Sequence, residues 1–227
     1  MNIVEKSTLA YCRKLAKNNT RDWFKENKEV YQTALENVKA FQSDLLADLQ
    51  KIDEIDKSKM FRIYRDVRFS KDKTPYNPDF RMSFSREGAH RRGGYYLRIA
   101  PGNTFVAAGF WGPEPKDLKL IRSHIAQDDK PLRKVINSKK FKNHFGILDG
   151  DQVKSAPKGY PKDHPSIDLL KYKQFIVSKK ITDKIVCSKD FKKEVINSYK
   201  AIRPFFDYMS EILTHDLNGV SLLGGSK

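Results

Sequence analysis

Cysteine is scarce. Two residues in 227, Cys12 and Cys187, are too few for a disulfide framework. Both sit in helix- or strand-like surroundings, as ordinary half-buried thiols do. Long apolar runs are missing too, and none approaches the roughly 20 residues that span a bilayer. The first residues, MNIVEKSTLAYCRKLAKNN, hold no sustained apolar region and no small-residue cleavage site. The expectation is a cytoplasmic protein without a secretory signal and without a membrane partner.

Several chemistries lack their motifs. The histidines are His90, His124, His144, His164 and His215. No two share a metal-ligand spacing and there is no Cys-x-x-Cys, so neither a metal nor any other cofactor is expected. No G-x-S-x-G elbow points to a serine hydrolase. The closing GVSLLGGSK has glycines and a lysine, but no helix can follow the lysine to build a phosphate cradle. Residues 218–227 therefore read as a frayed, flexible tail.

Aromatic and basic residues are plentiful. Fourteen Phe and ten Tyr, within 39% hydrophobic residues, can build a core. Lysine and arginine number 44 against 28 acids, a formal charge of +16. Such a surface attracts phosphates and nucleic acid by counterion release. Much of the excess is lysine spread along helices, as in KVINSKKFKN, and the aromatic-basic RNA motifs and zinc modules are missing. Nucleic acid is not the favoured partner on this basis. Binding to it should be weak, salt-sensitive and indifferent to sequence.

Periodicity orders the chain. A helix through Lys17 precedes NNT, and Thr20 can cap a long amphipathic helix to Gln50, with Trp23, Asn27, Val30, Ala34, Val38, Phe41, Leu45 and Leu49 on one face. After a polar linker the period becomes two. MFRIYRDVRFS reads as a strand with Phe61, Ile63, Arg65, Val67 and Phe69 on its apolar face. FRMSFSR resumes a strand, and YYLRIAPGNTFVAAGFW is a hairpin turning at Pro101-Gly102-Asn103. Pro115, Pro131 and Pro165 each open a helix. QFIVSKKI is a further strand, and the last forty residues form helix that Pro204 should kink or divide. Consecutive strands joined by turns, with helices apart, predict an α+β fold: a largely antiparallel sheet with helices packed on it, in a single compact domain over residues 1–227 with its core in 10–217.

The chemistry concentrates in RIYRDVRFSKDKTPY, residues 62–76. Arginine suits bidentate recognition of carboxylate or phosphate. Arg62, Arg65, Arg68, Lys71, Lys73, Tyr76 and Tyr96 are the candidate ligand-binding residues, lining a basic, tyrosine-lined cleft for an anionic small molecule. The same charges could instead form an internal ion-pair network holding the sheet in register. Arg65, on the apolar face, should be largely buried and partnered. Asp66 is a candidate for proton transfer. So is the pair Asp163 and His164 in PKGYPKDHP, although there capping of the helix at Pro165 is the simpler reading. Trp111, in GFWGPEP, should pack in the core or in a loop lid. Whether the protein is an enzyme stays open at this point.

The segments NNTRDWF, RIYRDVRFSKDKTPY, GYYLRIAPG, GFWGPEP and PKGYPKDHPSIDLLKYK occur in that order and together resemble a family of bacterial conserved hypothetical proteins, domain of unknown function 2461. The resemblance runs from Ala10 to Leu217 and is most specific in RDVRFSKDKTPY. It implies a compact cytoplasmic domain and carries no catalytic residue or cofactor. Similar proteins often have glycines where this chain has Ala107 and Ala108, which argues against a close backbone approach of a ligand there.

Overall fold

The computed structural model describes residues 2–223. In chain order the elements are α1 (Lys6–Lys17), α2 (Arg21–Glu26), α3 (Lys28–Leu49), β1 (Ile55–Met60), β2 (Phe80–Arg86), β3 (Gly94–Ile99), β4 (Thr104–Phe110), α4 (Pro115–Gln127), α5 (Lys130–Ile136), α6 (Lys139–Phe145), α7 (Ile167–Leu170), β5 (Phe175–Ile181), α8 (Asp183–Val186) and α9 (Phe191–Thr214). The strands form one antiparallel sheet in the order β1-β2-β3-β4-β5, with helices packed on it: an α+β fold. Two compact units share the chain. The first holds the chain up to Phe84, Tyr96–Val106 and Lys180–Asn197; the second holds Ser85–Tyr95, Ala107–Lys179 and the chain from Ser198 on.

In the first unit, Thr20 caps α2 as predicted, its Oγ1 accepting from the Trp23 N–H at 3.3 Å. The expected single helix to Gln50 is in fact two. Asn27 stands between α2 and α3 with φ −105° and ψ 21°, and its side chain donates to the Trp23 carbonyl at 2.9 Å. That local bond competes with helix continuation, as Asn side chains do. Further along α3, Ala34, Val38, Phe41, Leu45 and Leu49 are buried at the predicted spacing. Phe41 stacks on Phe191 at 5.0 Å. Each such large side chain contributes about 1.5–3 kcal/mol by leaving water.

The strand expected over residues 60–70 does not form. The ladder runs one segment earlier, through IDKSKM of β1, and Phe61 to Asp79 is an irregular loop. β1 lies at the edge of the sheet. Edge strands tolerate lysine and charge, so its polarity conceals it. In the loop, the Asp66 and Asp72 carboxylates accept the backbone N–H groups of Arg68 and Thr74. Pro75 and Pro78 withhold donors. Both effects satisfy or remove backbone groups that a ladder would need. The loop closes through the bridge Tyr64–Tyr76, with Arg65 N–H to Pro75 carbonyl at 2.9 Å and Asn77 N–H to Ile63 carbonyl at 2.8 Å.

β2 and β3 alternate cleanly, while in β4 the run Val106, Ala107 and Ala108 is buried throughout. Phe80, Met82, Phe84, Leu97, Ile99 and Val106 are buried on one face, while Arg81, Ser83, Tyr96, Arg98 and Phe105 are half-buried on the other. The β3–β4 turn is where Pro-Gly-Asn predicts it, with Gly102 at φ 68°.

The second unit is built on aromatic contacts. Tyr95 lies 4.6 Å from Tyr199 and 5.1 Å from Phe206, and Phe141 packs on Phe205. Arg86 sits within this cluster, its side chain 2% exposed, 5.0 Å from the Phe206 ring. Its guanidinium donates to the Arg92 carbonyl at 2.8 Å and the Ser210 hydroxyl at 3.3 Å. This arginine, at the inward position ending β2, is the deeply buried one that the sequence reading assigned to Arg65. α9 runs through Pro204 as one helix. Trp111 is 63% exposed, which removes the core alternative of the two expected for it. Residues 216–222 form a turn in which the Asp216 carboxylate accepts from Asn218 and Val220 N–H groups. Residues 224–227 of the expected tail lie outside the described residues.

Candidate functional site

The charged loop of the first unit and the start of β2 enclose an open depression of ≈ 280 Å³. Phe61, Tyr64 and Asn77 line it together with Arg62, Arg65, Arg81 and Asp66. Phe61 joins it because its N–H bonds the Arg81 carbonyl at 2.8 Å, continuing the β1–β2 pairing by one residue.

Its charges are mostly satisfied. Arg65 is half-buried, its side chain 22% exposed, and pairs with the Asp72 carboxylate and the Thr74 hydroxyl. The Thr74 N–H, and after it Arg65, hold the Asp72 carboxyl down to about 2. Arg68 is exposed and forks onto Asp66 with contacts of 2.7 and 3.0 Å. That guanidinium depresses the Asp66 carboxyl, and Arg62 adds to the effect. Arg81 and Arg98 both pair with Asp79, whose side chain is 5% exposed. Among the described residues, Arg62 is the one guanidinium of the lining with no hydrogen bond or ion pair, and it is exposed.

The other predicted site residues are distributed differently. Lys71 and Lys73 are on the exposed loop, where the Lys73 ammonium donates to the Val67 carbonyl at 3.0 Å. Tyr76 is buried, its ring 4.1 Å from that of Phe24, and does not line the depression. Tyr96 stands on the half-exposed face of β3, 6.1 Å from Phe61. Asp163 and His164 belong to the second unit. There the His164 Nδ1 accepts from the Ser166 N–H at 3.0 Å and its carbonyl accepts from the Ile167 N–H at 2.9 Å. Both bonds close the turn that leads into α7, whose N-cap position is Ser166 and not Asp163 or His164.

The sequence reading missed Phe61, Tyr64, Asn77 and Arg81. The period-two alternation of FRMSFSR was the available signal for Arg81, since it sets that residue opposite Phe80 and Met82. The face assignment of the expected strand also needs correcting. Ile63 is buried, but Phe69, placed on the same face, is 97% exposed. Arg65 is thus held by loop partners and not by a sheet core. Its replacement by alanine should cost about 1–2 kcal/mol through the lost charged hydrogen bonds. Lys71→Ala should stay within about 0.5 kcal/mol. Urea melts of the two variants compare them directly, and equal midpoints would mean that Arg65 does not hold the loop.

Residues 7–208 match the family described as conserved hypothetical protein (DUF2461). The chain belongs to this family. The matched span contains the whole charged loop and all five strands, and ends inside α9. The family's description names no reaction, so the roles of Arg62, Arg65 and Asp66 rest on their geometry. No curated protein and no solved structure matches the chain.

Proposed function

We propose that the protein binds an anionic ligand, phosphorylated or carboxylated, in the depression around Arg62. The observation that carries this reading is the exposed, unpaired guanidinium of Arg62 in a lining whose other charged groups already have partners. Between residues 61 and 81 six cationic side chains face three aspartates, so pairing leaves an excess of positive charge. The opening suits one phosphate or carboxylate group held at the surface better than a ligand enclosed on all sides. Guanidinium provides the flat pair of donors that either anion accepts.

Binding is favoured over proton transfer. Arg68 lowers the Asp66 carboxyl below its ordinary value, which makes it a weaker base than an ordinary carboxylate. His164 spends its Nδ1 on a backbone N–H. No helix among the described residues is long and apolar enough to cross a membrane. The reading takes a cytoplasmic setting, with soluble anions as ligands.

Calorimetric titration with pyrophosphate and with citrate tests this. Wild type should bind at low salt, Arg62→Ala should bind roughly tenfold more weakly, as loss of one charged contact predicts, and the exposed Lys14→Ala on α1 should bind as wild type. Absence of binding, or equal losses in both variants, would contradict the proposal.

A further inference from the structure

The face of β2, β3 and β4 that the first unit leaves half-exposed carries aromatic rings in sequence. Phe61 and Tyr64 share the lining of the depression. The Phe61 ring meets Tyr96 edge-on at 6.1 Å, and Tyr96 meets Phe105 at 5.9 Å. Ring contacts join Phe61, Tyr96 and Phe105 in one row. Tyr64, whose ring packs on Tyr76 at 5.4 Å and Phe24 at 6.0 Å, extends the track at the Phe61 end, where both line the depression. Cations accompany it. The Lys59 ammonium is 5.2 Å and the Arg81 guanidinium 5.9 Å from the centre of the Phe61 ring. Arg98 is on β3 two residues after Tyr96, and Arg62 stands free at the depression.

The rings differ from core aromatics. Tyr64 is 56% exposed, and Phe61, Tyr96 and Phe105 are half-buried, whereas the aromatic side chains on the opposite face of the same strands, Phe80, Phe84 and Tyr95, are buried. A ring half-sunk in a sheet offers a face or an edge for stacking, and it does not protrude as a wedge. That geometry fits a flat partner laid upon it. Together with repeated cationic groups, it fits a chain of flat rings joined by phosphates.

We propose that this track binds single-stranded nucleic acid, with bases stacking along Tyr64, Phe61, Tyr96 and Phe105 and a backbone phosphate on Arg62. The proposal rests on the anion reading of the Arg62 depression and specifies its ligand. A duplex hides its base faces and cannot use the rings. A lipid bilayer would need several protruding apolar side chains at one level. In the loop of residues 62–79 only Phe69 is an almost fully exposed apolar side chain.

Fluorescence polarisation with a labelled oligothymidine of eight nucleotides tests the proposal, against a duplex of the same length, inorganic polyphosphate and vesicles of anionic phospholipid. The oligothymidine should bind more tightly than duplex or polyphosphate. Tyr64→Ala should weaken it roughly tenfold, the size of one lost stacking contact, without changing the salt dependence. Tyr64→Phe, which keeps the ring, should bind as wild type. Phe105→Ala, at the other end of the track, should weaken a long strand more than a dinucleotide. Arg62→Ala should instead lower the slope of log affinity against log salt by about one. Circular dichroism confirms that each variant is folded.

The proposal is overturned if Tyr64→Ala and Phe105→Ala, both folded, bind the strand as wild type does. It is also overturned if polyphosphate or duplex binds equally well, if the strand does not bind, or if the vesicles are the preferred ligand and lose affinity in Tyr64→Ala. In each of these cases pyrophosphate binding through Arg62 is measured separately. Its persistence leaves the anion reading standing, and its loss removes both.

Discussion

Gly109→Ala should destabilise the protein by roughly 3–5 kcal/mol, the combined cost of a strained backbone and an overpacked site. Gly109 is in β4 with φ 134°, a conformation that side chains rarely adopt. A Cβ added there would lie 2.2 Å from the Phe175 carbonyl oxygen and 2.7 Å from the Ile176 Cα. Both are backbone atoms of β5, so no side-chain rotation can relieve the clash. Gly102, in the β3–β4 turn, is the matched control. Its φ is also positive, 68°, but a Cβ there meets nothing within 4 Å. Gly102→Ala should therefore cost only the conformational term, about 1–2 kcal/mol. Urea denaturation of both variants separates the two costs. Equal losses would show that β4 and β5 do not approach so closely at Gly109. The neighbouring Ala107 and Ala108 are buried with their methyl groups accommodated. The need for glycine in this strand is thus confined to one position.

Asp79→Ala should cost about 3–5 kcal/mol, the range for breaking a buried ion pair from one side. The Asp79 carboxylate accepts from Arg98, with Nη2 at 2.6 Å and Nε at 2.8 Å from Oδ2. The Arg81 Nε lies 3.0 Å from Oδ1, close enough to pair but off line for a hydrogen bond. Removing the carboxylate leaves two guanidiniums, 27% and 29% exposed, facing each other without a counter-charge. Asp79→Ala combined with Arg98→Leu should recover part of the loss, since the second change removes one of the repelling charges. Denaturant melts of the single and double variants make the cycle. A loss below about 1 kcal/mol for Asp79→Ala would mean that water already screens the cluster. Arg81 also lines the depression, so this cluster sets the position of one wall of the candidate site.

The sequence carried most of the fold where a regular pattern was backed by burial. β2, the β3–β4 hairpin, β5 and the helical C-terminal segment follow from pattern and turn chemistry, because in each the apolar side chains meet a core. The errors fall where side chains bond to their own backbone. Asn27 divides a helix by capping locally, and Asp66 and Asp72 hold a loop where alternation suggested a strand. Neither effect changes hydrophobic period, so period-based reading passes over it. β1 was missed for the converse reason: an edge strand needs little apolar content. For the candidate site, the charged stretch itself announced Arg62, Arg65 and Asp66. Phe61, Tyr64 and Arg81 join them through the Tyr64–Tyr76 bridge and the Phe61–Arg81 backbone bond, which only the folded register reveals. Tyr76 left the list for the same reason, since that bridge turns it into the aromatic packing with Phe24.

A titration of amide nitrogen–proton spectra with pyrophosphate tests the anion site most directly. Shifts that saturate and concentrate in residues 61–66 and 77–81, and that need roughly tenfold more pyrophosphate in Arg62→Ala, are the predicted result. Shifts scattered over the lysine-bearing helices, or a response that saturates at the same pyrophosphate concentration in Arg62→Ala, would contradict the account.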